Sequence, residues 1–481
     1  MKWNSVASTC FYREIVLGFT ISCLQIPESC YGERLTLTQR CLIIADDLTG
    51  GADAGAQFAR KGLNTLLILT HGSKVDFSKY PDREVLVIST HSRGLPPEEA
   101  FRRVSLLLEN YSKNLFPVVY KKIDSTLRGN IGTETDAILK KTGLSLGFLT
   151  PAFPEQDRVV VGGIHLVRGK PLSLTDISND AVSPVKESYV KDLVEKQSTC
   201  PVGNVDLIRV ASGGGILNKA IDEALQQGIK ILIFDAVTRR DLEHIAEVAF
   251  ERDENLLFIG SAGLAEEVAK KLASGRKPSR SLKRKALKPV QHILIVSGSA
   301  SRVSHEQLNC VEQAMNIHSF QIDQSFLGGD KNHRLAIEED CIRQTSRAFI
   351  HGAVILKTTR ERMTSIDSEG LPVPSRITEC LGRIAASVLE ICHFDAEDVA
   401  LVLFGGDTAL SALDHLNSDG IEIEGEILKG IVIGRLIGGR WDGLRMVTKA
   451  GAFGKVKALE KILGILGGGD RTQAPAGRIS P

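Results

Sequence analysis

Charged and hydroxyl side chains follow three separate apolar segments in the first half of the chain. The segments are "IADDLTGGAD" (44–53), "STHSRGLPPEEA" (89–100) and "KKIDSTLRGN" (121–130). Parallel strands bring their carboxyl ends to one edge of a sheet, so side chains that follow such strands can line one pocket. The charged residues that this arrangement would gather are Asp47, Arg93, Lys122, Asp124 and Arg128.

This set of side chains has the chemistry to bind a small polyhydroxy acid. Lysine and arginine bind a carboxylate, and arginine can grip both of its oxygens. Aspartates accept hydrogen bonds from sugar hydroxyls, and an aspartate can also accept the proton of a hydroxyl that reacts. The alternative, in which Asp47 caps a helix and the other residues form independent surface ion pairs, stays open on spacing alone.

Three further segments each run from an apolar strand through small residues into a helix. They are "LLFIGSAGLAEEVAKKL" (256–272), "ILIVSGSASRVSHEQL" (293–308) and "LVLFGGDTALSAL" (401–413), and "VTKAGAFG" (447–454) adds a glycine loop after a fourth strand. Such a turn aims backbone N–H groups at one point, and the helix start adds about half a positive charge. The segments therefore predict phosphate binding, although a single turn of this kind is often only structural.

Well-known nucleotide signatures are absent from the sequence. The chain has no Walker pattern, no protein-kinase H-R-D and D-F-G signatures and no G-x-G-x-x-G. A nucleotide would therefore bind in a less common fold.

The order of the predicted elements indicates an α/β fold. From Cys41 onward, short apolar strands alternate with helical segments, which is typical of parallel sheets flanked by helices. Residues 158–172 break this rhythm and predict a hairpin with its turn at Arg168–Gly169. A second α/β unit begins near residue 292, after a stretch (275–288) that contains seven basic residues and no acidic one.

Composition and charge limit the classes of function. The chain of 481 residues has a formal net charge of +1, which gives no indication of a nucleic-acid partner. Nine cysteines are scattered without a C-x-x-C pair, which favours a reducing, cytoplasmic compartment over a disulfide framework. No apolar run reaches the roughly 18 residues of a membrane span. The apolar run 15–26 is similar to a signal peptide, but Glu14 and the missing A-x-A-like site favour a poorly ordered extension.

Eight motifs occur in the order found in the four-carbon acid sugar kinase family, which this chain resembles from about Cys41 to about Leu463. The motifs are "IADDLTGGAD", "KKIDSTLRGN", "PAFPEQDR", "VKESYV", "FIGSAGLA", "VSGSAS", "FGGDTA" and "TKAGAFG". The resemblance implies two domains, each with a mostly parallel sheet flanked by helices, and an active site in the cleft between them. The expected parts are an extension (1–40), a sugar-acid-binding domain (41–274), a basic linker (275–290), a nucleotide-binding domain (291–465) and a disordered tail (466–481).

The resemblance also implies ATP-dependent phosphorylation of threonate, erythronate or a 3-oxo relative at the 4-hydroxyl. The substrate-binding residues that it implies are Asp47, Arg93, Lys122, Asp124, Ser125 and Arg128. The nucleotide-binding residues that it implies are Ser299, Gly405, Gly406, Asp407, Thr408 and Gly451. The expected partners are the sugar acid and ATP, and a homodimer is a further expectation.

Phosphoryl transfer depends on alignment and charge neutralisation more than on covalent help from the protein. We therefore expect the glycine loops to hold the ATP phosphates, with Mg²⁺ bridging them and Asp407 binding the metal or the ribose. The three basic residues of the substrate set would fix the substrate carboxylate. Asp47 or Asp124 would accept the proton of the hydroxyl, and the position after the first strand favours Asp47.

Two functions of other classes stay open on the sequence. A nicotinamide-dependent sugar-acid dehydrogenase should carry G-x-G-x-x-G after its first strand. The first strand here leads to "ADDLTGG", whose carboxylates would repel a pyrophosphate. A non-catalytic sugar-acid sensor would need no glycine loops in the second half and would usually carry a DNA-binding helix pair, which the sequence does not suggest.

Overall fold

The computed structural model describes most of the chain between residues 40 and 468. The described ranges are 40–70, 73–180, 182–252, 254–275, 288–315, 317–322, 331–359, 373–451 and 453–468. Almost all of the predicted extension and most of the predicted basic linker and tail lie outside these residues. The domain boundaries proposed from the sequence therefore stay predictions.

The strands are short, and several are buried along their whole length, such as β1, Cys41–Ala45. Continuous apolar runs of this kind are typical of strands that are covered by helices on both faces. The strands are β1 (Cys41–Ala45), β2 (Thr65–Leu69), β3 (Val85–Ser89), β4 (Val118–Lys122), β5 (Leu146–Thr150), β6 (Arg158–Val161), β7 (Ile164–Val167), β8 (Lys170–Pro171), β9 (Val202–Val205), β10 (Ile231–Phe234), β11 (Leu256–Gly260), β12 (His292–Ser297), β13 (His318–Ile322), β14 (Ala353–Thr358), β15 (Val399–Phe404), β16 (Gly420–Leu428), β17 (Ile431–Ile437) and β18 (Arg445–Lys449).

Helices follow most of the strands along the chain. They are α1 (Leu48–Ala59), α2 (Pro97–Leu107), α3 (Ile131–Thr142), α4 (Val190–Glu195), α5 (Leu207–Ser212), α6 (Gly214–Gln226), α7 (Arg239–Glu251), α8 (Ala262–Leu272), α9 (Arg302–Met315), α10 (Lys331–Phe349), α11 (Val373–Cys392), α12 (Gly406–His415) and α13 (Ala458–Leu466). Within the described ranges, no helix is both long and apolar enough to cross a membrane.

Fifteen strands form one continuous sheet in the described part of the chain. The strand order is β13-β14-β12-β15-β18-β17-β16-β2-β3-β1-β4-β11-β5-β10-β9. Neighbouring strands are parallel except at the β18–β17, β17–β16 and β16–β2 pairs, which are antiparallel. This arrangement confirms the predicted α/β class with a mostly parallel sheet.

The β16–β2 pair joins the strands of the second half of the chain to those of the first. Gly420 of β16 lies opposite Ile68 of β2, and Ile423 lies opposite Thr65. Gly420 has no side chain because a Cβ atom there would collide with the carbonyl oxygen of Leu67. The continuity of the sheet across both halves is a feature that the order of elements did not predict.

Residues 158–171 form a separate sheet of three antiparallel strands, β6-β7-β8. The predicted turn at Arg168–Gly169 connects β7 to β8. An earlier turn at Gly162–Gly163, with φ angles of 58° and 73°, connects β6 to β7. Glycine adopts these positive φ angles without a steric cost, which suits a two-residue hairpin loop. The segment is therefore a three-stranded meander and not the single hairpin that we predicted.

The helices that matter for the site begin where buried strands end. Asp47 caps α1 by accepting a hydrogen bond from the backbone N–H of Gly50 at 3.1 Å. Ser261 caps α8 in the same way, with the N–H of Gly263 at 3.2 Å from its Oγ. A side-chain oxygen at this position satisfies one of the free N–H groups at the helix start. Each cap therefore fixes the point at which the chain turns from strand to helix.

Candidate active site

The three charged segments of the first half lie side by side at the carboxyl edge of the sheet. β1 lies between β3 and β4, and Ala45 of β1 is opposite both Ser89 of β3 and Lys122 of β4. The turns after these strands carry the predicted substrate residues. The structure therefore brings together the neighbourhoods of Asp47, Arg93, Lys122, Asp124, Ser125 and Arg128.

Arg93 clamps the two aspartates that follow β1. Its Nε donates to Asp46 Oδ2 at 2.8 Å, and its Nη2 donates to Asp46 Oδ1 at 2.9 Å and to Asp47 Oδ1 at 2.6 Å. Burial alone would raise the pKa of Asp47, but Arg93 and Lys122 hold this pKa below its ordinary value. Asp47 is therefore a carboxylate at neutral pH, and Arg93 is largely engaged by the protein itself.

Arg128 is engaged in a similar way by two other aspartates. Its Nε lies 2.7 Å from Asp124 Oδ2 and its Nη2 lies 3.3 Å from Asp124 Oδ1, while its Nη1 donates to Asp180 Oδ2 at 3.1 Å. Thr126 also donates its hydroxyl to Asp124 Oδ2. Against the effect of burial, Arg128 and Arg93 lower the pKa of Asp124 well below its ordinary value.

A buried ion pair lies directly behind this clamp. Lys121 Nζ is 2.6 Å from Glu134 Oε2, and each side chain is only 1% exposed. Ser92 donates its hydroxyl to Glu134 Oε1 at 2.8 Å, and Ser92 is the residue before Arg93. The pair therefore connects helix α3 to the turn that carries the arginine.

Lys122 lies against the start of α1 at a point where the helix has no side chain. Its Nζ donates to the carbonyl oxygen of Ile123 at 2.8 Å. An ideal Cβ on Gly50 would lie 3.0 Å from Lys122 Nζ and would collide with Asp47 Oδ1. The glycine is therefore required because Asp47 and Lys122 both approach the helix backbone here.

Arg158 is a residue of this site to which the sequence analysis gave no role. Its Nη1 donates to Ser125 Oγ, and its guanidinium carbon lies 5.6 Å from the centroid of the Phe453 ring. Its Nε is buried and has no hydrogen-bond partner among the described residues. Arg158 ends the motif "PAFPEQDR", so the sequence contained a signal, but only as part of the family resemblance.

Asp53 is a second residue that the sequence analysis passed over. Its Oδ1 is buried and has no hydrogen-bond partner among the described residues. Burial raises the pKa of Asp53 to about 6, and the nearby Lys122 opposes this rise. Asp53 follows Gly50 by three positions, so helical spacing alone places both on one face of α1.

The predicted nucleotide-binding residues also lie together, at the carboxyl ends of β12, β15 and β18. The N–H of Gly298 donates to Thr408 Oγ1 at 3.2 Å, and the hydroxyl of Ser304 donates to the carbonyl oxygen of Gly451 at 2.8 Å. A Cβ on Gly451 would collide with Ser299 Oγ. The hydroxyl side chains of these segments therefore pack directly against the backbone of the neighbouring loops.

The start of α12 lies against the sugar-acid side of the site. Gly405 has a φ angle of 102°, which allows the chain to turn sharply from β15 into the helix. An ideal Cβ on Gly406 would lie 3.5 Å from Asp47 Oδ2 and 3.5 Å from Thr49 Oγ1. Burial, followed by the charge of Asp47, raises the pKa of the next residue, Asp407. The positive end of the α12 dipole therefore lies beside the Asp47 carboxylate.

Lys449 holds the glycine loop that follows β18. Its Nζ donates to the carbonyl oxygens of Ala450 and Gly451 at 3.1 and 3.2 Å and lies 3.3 Å from Ser304 Oγ. It also lies over the ring of Phe404, 4.1 Å from the centroid. Burial lowers the pKa of Lys449 to about 7. This lysine was not among the predicted residues, although it belongs to the motif "TKAGAFG".

The chain matches two family models over the regions that contain these residues. A sugar-binding N-terminal domain matches residues 41–268, and a nucleotide-binding C-terminal domain matches residues 294–459. The chain is 31% identical over 434 residues to D-erythronate kinase of Heliobacterium modesticaldum, which covers 87% of this chain and 94% of the relative. It is also 31% identical over 435 residues to D-threonate kinase of Salmonella typhimurium, with 87% and 96% covered. The chain belongs to the four-carbon acid sugar kinase family.

A solved structure shares the fold of this family member. The structure, of a Salmonella typhimurium LT2 protein described as a candidate tRNA synthase, superposes with a TM-score of 0.71 at 23% identity. The match covers 88% of this chain and 98% of that chain, and at this identity it shows the fold alone.

Family membership confirms the predicted class of reaction. The protein is a phosphotransferase that acts on an alcohol group of a four-carbon sugar acid, with ATP as the donor. This assignment replaces the dehydrogenase and sensor alternatives.

We expect Gly50→Ala to reduce the activity of this kinase strongly. The added Cβ would collide with Asp47 Oδ1 and crowd Lys122 Nζ, and a displacement of about 1 Å in an active site can cost roughly 100-fold in rate. The measurement is kcat/KM for the sugar acid. The matched control is Gly215→Ala in α6, where an added Cβ meets no atom within 4 Å. Full activity of Gly50→Ala would show that Asp47 and Lys122 can shift without a penalty.

We expect Glu134→Leu to destabilise the protein by about 3–5 kcal/mol, because it leaves the buried Lys121 ammonium without its partner. The double variant Lys121→Met/Glu134→Leu should recover most of this loss, since it removes both charges. Urea unfolding of the two single variants and the double variant measures the coupling. Additive losses in the double variant would contradict the view that the two side chains act as a pair.

Proposed function

We propose that this kinase transfers the γ-phosphoryl group of ATP to the 4-hydroxyl of a four-carbon sugar acid of the threonate, erythronate or 3-oxo-tetronate type. The observation that carries the proposal is the approach of Asp47 to the start of α12, where an ideal Cβ on Gly406 lies 3.5 Å from Asp47 Oδ2. A substrate hydroxyl that contacts Asp47 would therefore lie next to a helix start that suits a phosphate.

Asp47 fits the role of proton acceptor better than Asp124 does. Asp47 Oδ2 is on the side of α12 and accepts a hydrogen bond from the hydroxyl of Thr49 at 2.7 Å. Both oxygens of Asp124 are held by Arg128, and its pKa is well below the ordinary value. Phosphoryl transfer demands alignment of the attacking hydroxyl more than a strong base. We therefore propose that Asp47 aligns and deprotonates the 4-hydroxyl. Asp124 would accept a hydrogen bond from another hydroxyl of the substrate.

The nucleotide phosphates would lie over the start of α12 and the loops of Ser299 and Gly451. The dipole of α12 favours negative charge there, and the first N–H groups of a helix suit a phosphate. Thr408 would hold the loop of Gly298 in place through its hydroxyl, which accepts the N–H of Gly298 at 3.2 Å. The N–H of Gly406 would then face the phosphate oxygens, whereas that of Gly405 donates to the carbonyl oxygen of Lys449 at 3.0 Å.

A magnesium ion fits this arrangement as a partner of ATP. Among the described residues, no group of three or more His, Cys, Asp or Glu side chains could hold a metal ion by itself. Mg²⁺ is commonly bound by one or two carboxylates together with substrate phosphates. Asp407, whose pKa is raised by burial and by Asp47, is the carboxylate that would gain most from such an ion. When bound with ATP, Mg²⁺ would neutralise part of the charge of the phosphates.

A reducing compartment fits the state of the cysteines. The cysteines among the described residues are free thiols, in keeping with a reducing compartment. A cytoplasmic location and a homodimer stay predictions, and light scattering after size-exclusion chromatography would measure the oligomeric state.

The identity of the sugar acid requires a substrate panel, because the chain is equally similar, at 31%, to an erythronate kinase and a threonate kinase. The panel is D- and L-threonate, D- and L-erythronate and the 3-oxo-tetronates, in an ATP-coupled assay with Mg²⁺. We expect turnover of one of them, with the product phosphorylated at the 4-position by ³¹P and ¹³C NMR. Phosphate at another oxygen would contradict the proposal, and so would the absence of turnover across the whole panel.

We expect Asp47→Asn to lower kcat by roughly 100- to 10,000-fold, the usual contribution of a positioned acid or base. The dissociation constant for ATP should change little, because Asp47 would contact the hydroxyl and not the nucleotide. Asp124→Asn is the comparison variant, and its main effect should be a higher KM for the sugar acid. A larger loss of kcat in Asp124→Asn than in Asp47→Asn would reverse the two assignments.

A further inference from the structure

The basic side chains on the substrate side of the site differ in how many of their donors are free. Arg93 and Arg128 each form ion pairs with two aspartates. Lys122 and Arg158 donate to a backbone carbonyl and to a hydroxyl, and neither has a carboxylate within ion-pair distance among the described residues. The cations that are free to bind a substrate carboxylate are therefore Lys122 and Arg158. The sequence analysis had expected Lys122 together with Arg93 and Arg128 to bind it.

The guanidinium of Arg158 has one edge in use and one edge free. Nη1 donates to Ser125 Oγ, and the face of the group lies over the ring of Phe453. Nε is buried without a hydrogen-bond partner, and Nη2 likewise has none among the described residues. A guanidinium binds a carboxylate through two parallel N–H bonds in its own plane. The edge formed by Nε and Nη2 therefore matches two carboxylate oxygens.

Arg158 is presented to the site by an ordered sheet. It begins β6, and the neighbouring β7 carries the buried His165, whose Nε2 lies 2.8 Å from the carbonyl oxygen of Ser125. Its Nδ1 lies 3.1 Å from the carbonyl oxygen of Val159. Burial lowers the pKa of His165 to about 4, so the ring adds no charge near pH 7. These hydrogen bonds connect the small sheet to the turn that contains Ser125. The buried Nε of Arg158 has no acceptor there, which costs free energy that a bound anion would recover.

Arg158 contacts the turn that follows β4, through Ser125, and the ring of Phe453 in the loop that follows β18. Asp47, by contrast, follows β1, and an ideal Cβ on Gly406 at the start of α12 would lie 3.5 Å from its Oδ2. Asp47 and Arg158 therefore reach the site at the turns of two neighbouring strands, Asp47 after β1 and Arg158 at the turn after β4. A four-carbon acid carries its 4-hydroxyl and its carboxylate at opposite ends of the molecule. If the hydroxyl contacts Asp47, the carboxylate extends toward Arg158.

We propose that Arg158 binds the carboxylate of the sugar acid through its Nε–Nη2 edge, and that this contact selects an acid over a neutral sugar derivative. The proposal rests on the function proposed above, because it takes the 4-hydroxyl as the reacting group. Lys122 lies close to Asp47 and the start of α1, so it would serve the reacting end of the substrate. Arg158 is thus a specificity residue for the opposite end.

The experiment compares an acid with its uncharged amide in the wild-type enzyme and in Arg158→Met. The substrates are D-threonate and D-threonamide, or the corresponding pair for whichever acid the panel identifies. In Arg158→Met we expect kcat/KM for the acid to fall roughly 100-fold, because charge-assisted hydrogen bonds to the carboxylate are lost. We expect kcat/KM for the amide to change less than about threefold. Arg158→Lys keeps the positive charge but not the two parallel N–H donors of the guanidinium. Its kcat/KM for the acid should therefore fall less than that of Arg158→Met.

Arg168→Met is the matched control, since it removes an exposed arginine from the β7–β8 turn of the same small sheet. It should keep the wild-type preference for acid over amide. Equal losses on acid and amide in Arg158→Met would overturn the proposal and point to a contact with the transferred phosphoryl group. An unchanged preference for acid over amide in both Arg158 variants would overturn the proposal as well. If Arg158→Met shows no cooperative thermal unfolding, and so is not folded, the result with Arg158→Lys alone decides the question. Failure of the wild-type enzyme on every acid would instead refute the proposed function.

Discussion

The clamp of Arg93 on Asp46 and Asp47 is the interaction on which the rest of the site depends. Two adjacent carboxylates at the end of a buried strand repel each other, and burial makes each charge more costly. Arg93 removes this difficulty with three N–H contacts of 2.6 to 2.9 Å. It can do so only because β3 pairs with β1 in parallel, which brings its turn to the same edge. Asp47 is thereby kept ionised, and its second oxygen, which accepts the hydroxyl of Thr49, faces α12.

The geometry of the sheet explains how α12 comes to lie beside Asp47. The path from β1 to β15 crosses six pairings, β1-β3-β2-β16-β17-β18-β15, and three of them are antiparallel. An odd number of antiparallel steps reverses the strand direction, so in a flat sheet the two carboxyl edges would lie at opposite ends. Adjacent strands twist by roughly 20–25°, which accumulates to about 120–150° over six pairings. The twist largely compensates for the reversal, and the two edges can face one site.

Sequence reasoning was strongest where a local pattern is tied to a general rule of sheet geometry. The residues after β1, β3 and β4 could be predicted to meet, because parallel strands end at one edge. The state of each side chain could not be predicted in this way. Whether Arg93 and Arg128 are free or paired depends on Asp46 and Asp180, and such pairings between separate turns leave no periodic signal. Arg158 was missed for a related reason, because a separate small sheet carries it to Ser125.

The site also holds more negative charge than a polyphosphate would tolerate without compensation. Asp47 lies next to the start of α12, which carries Asp407, and burial together with the charge of Asp47 raises the pKa of Asp407. These carboxyl groups oppose a phosphate that arrives alone, and the α12 dipole of about half a charge offsets only part of the repulsion. A nucleotide accompanied by a divalent cation meets far less opposition. An anionic substrate likewise needs an attractive contact away from Asp47 and Asp407, and Arg158, at the turn that follows β4, supplies that contact.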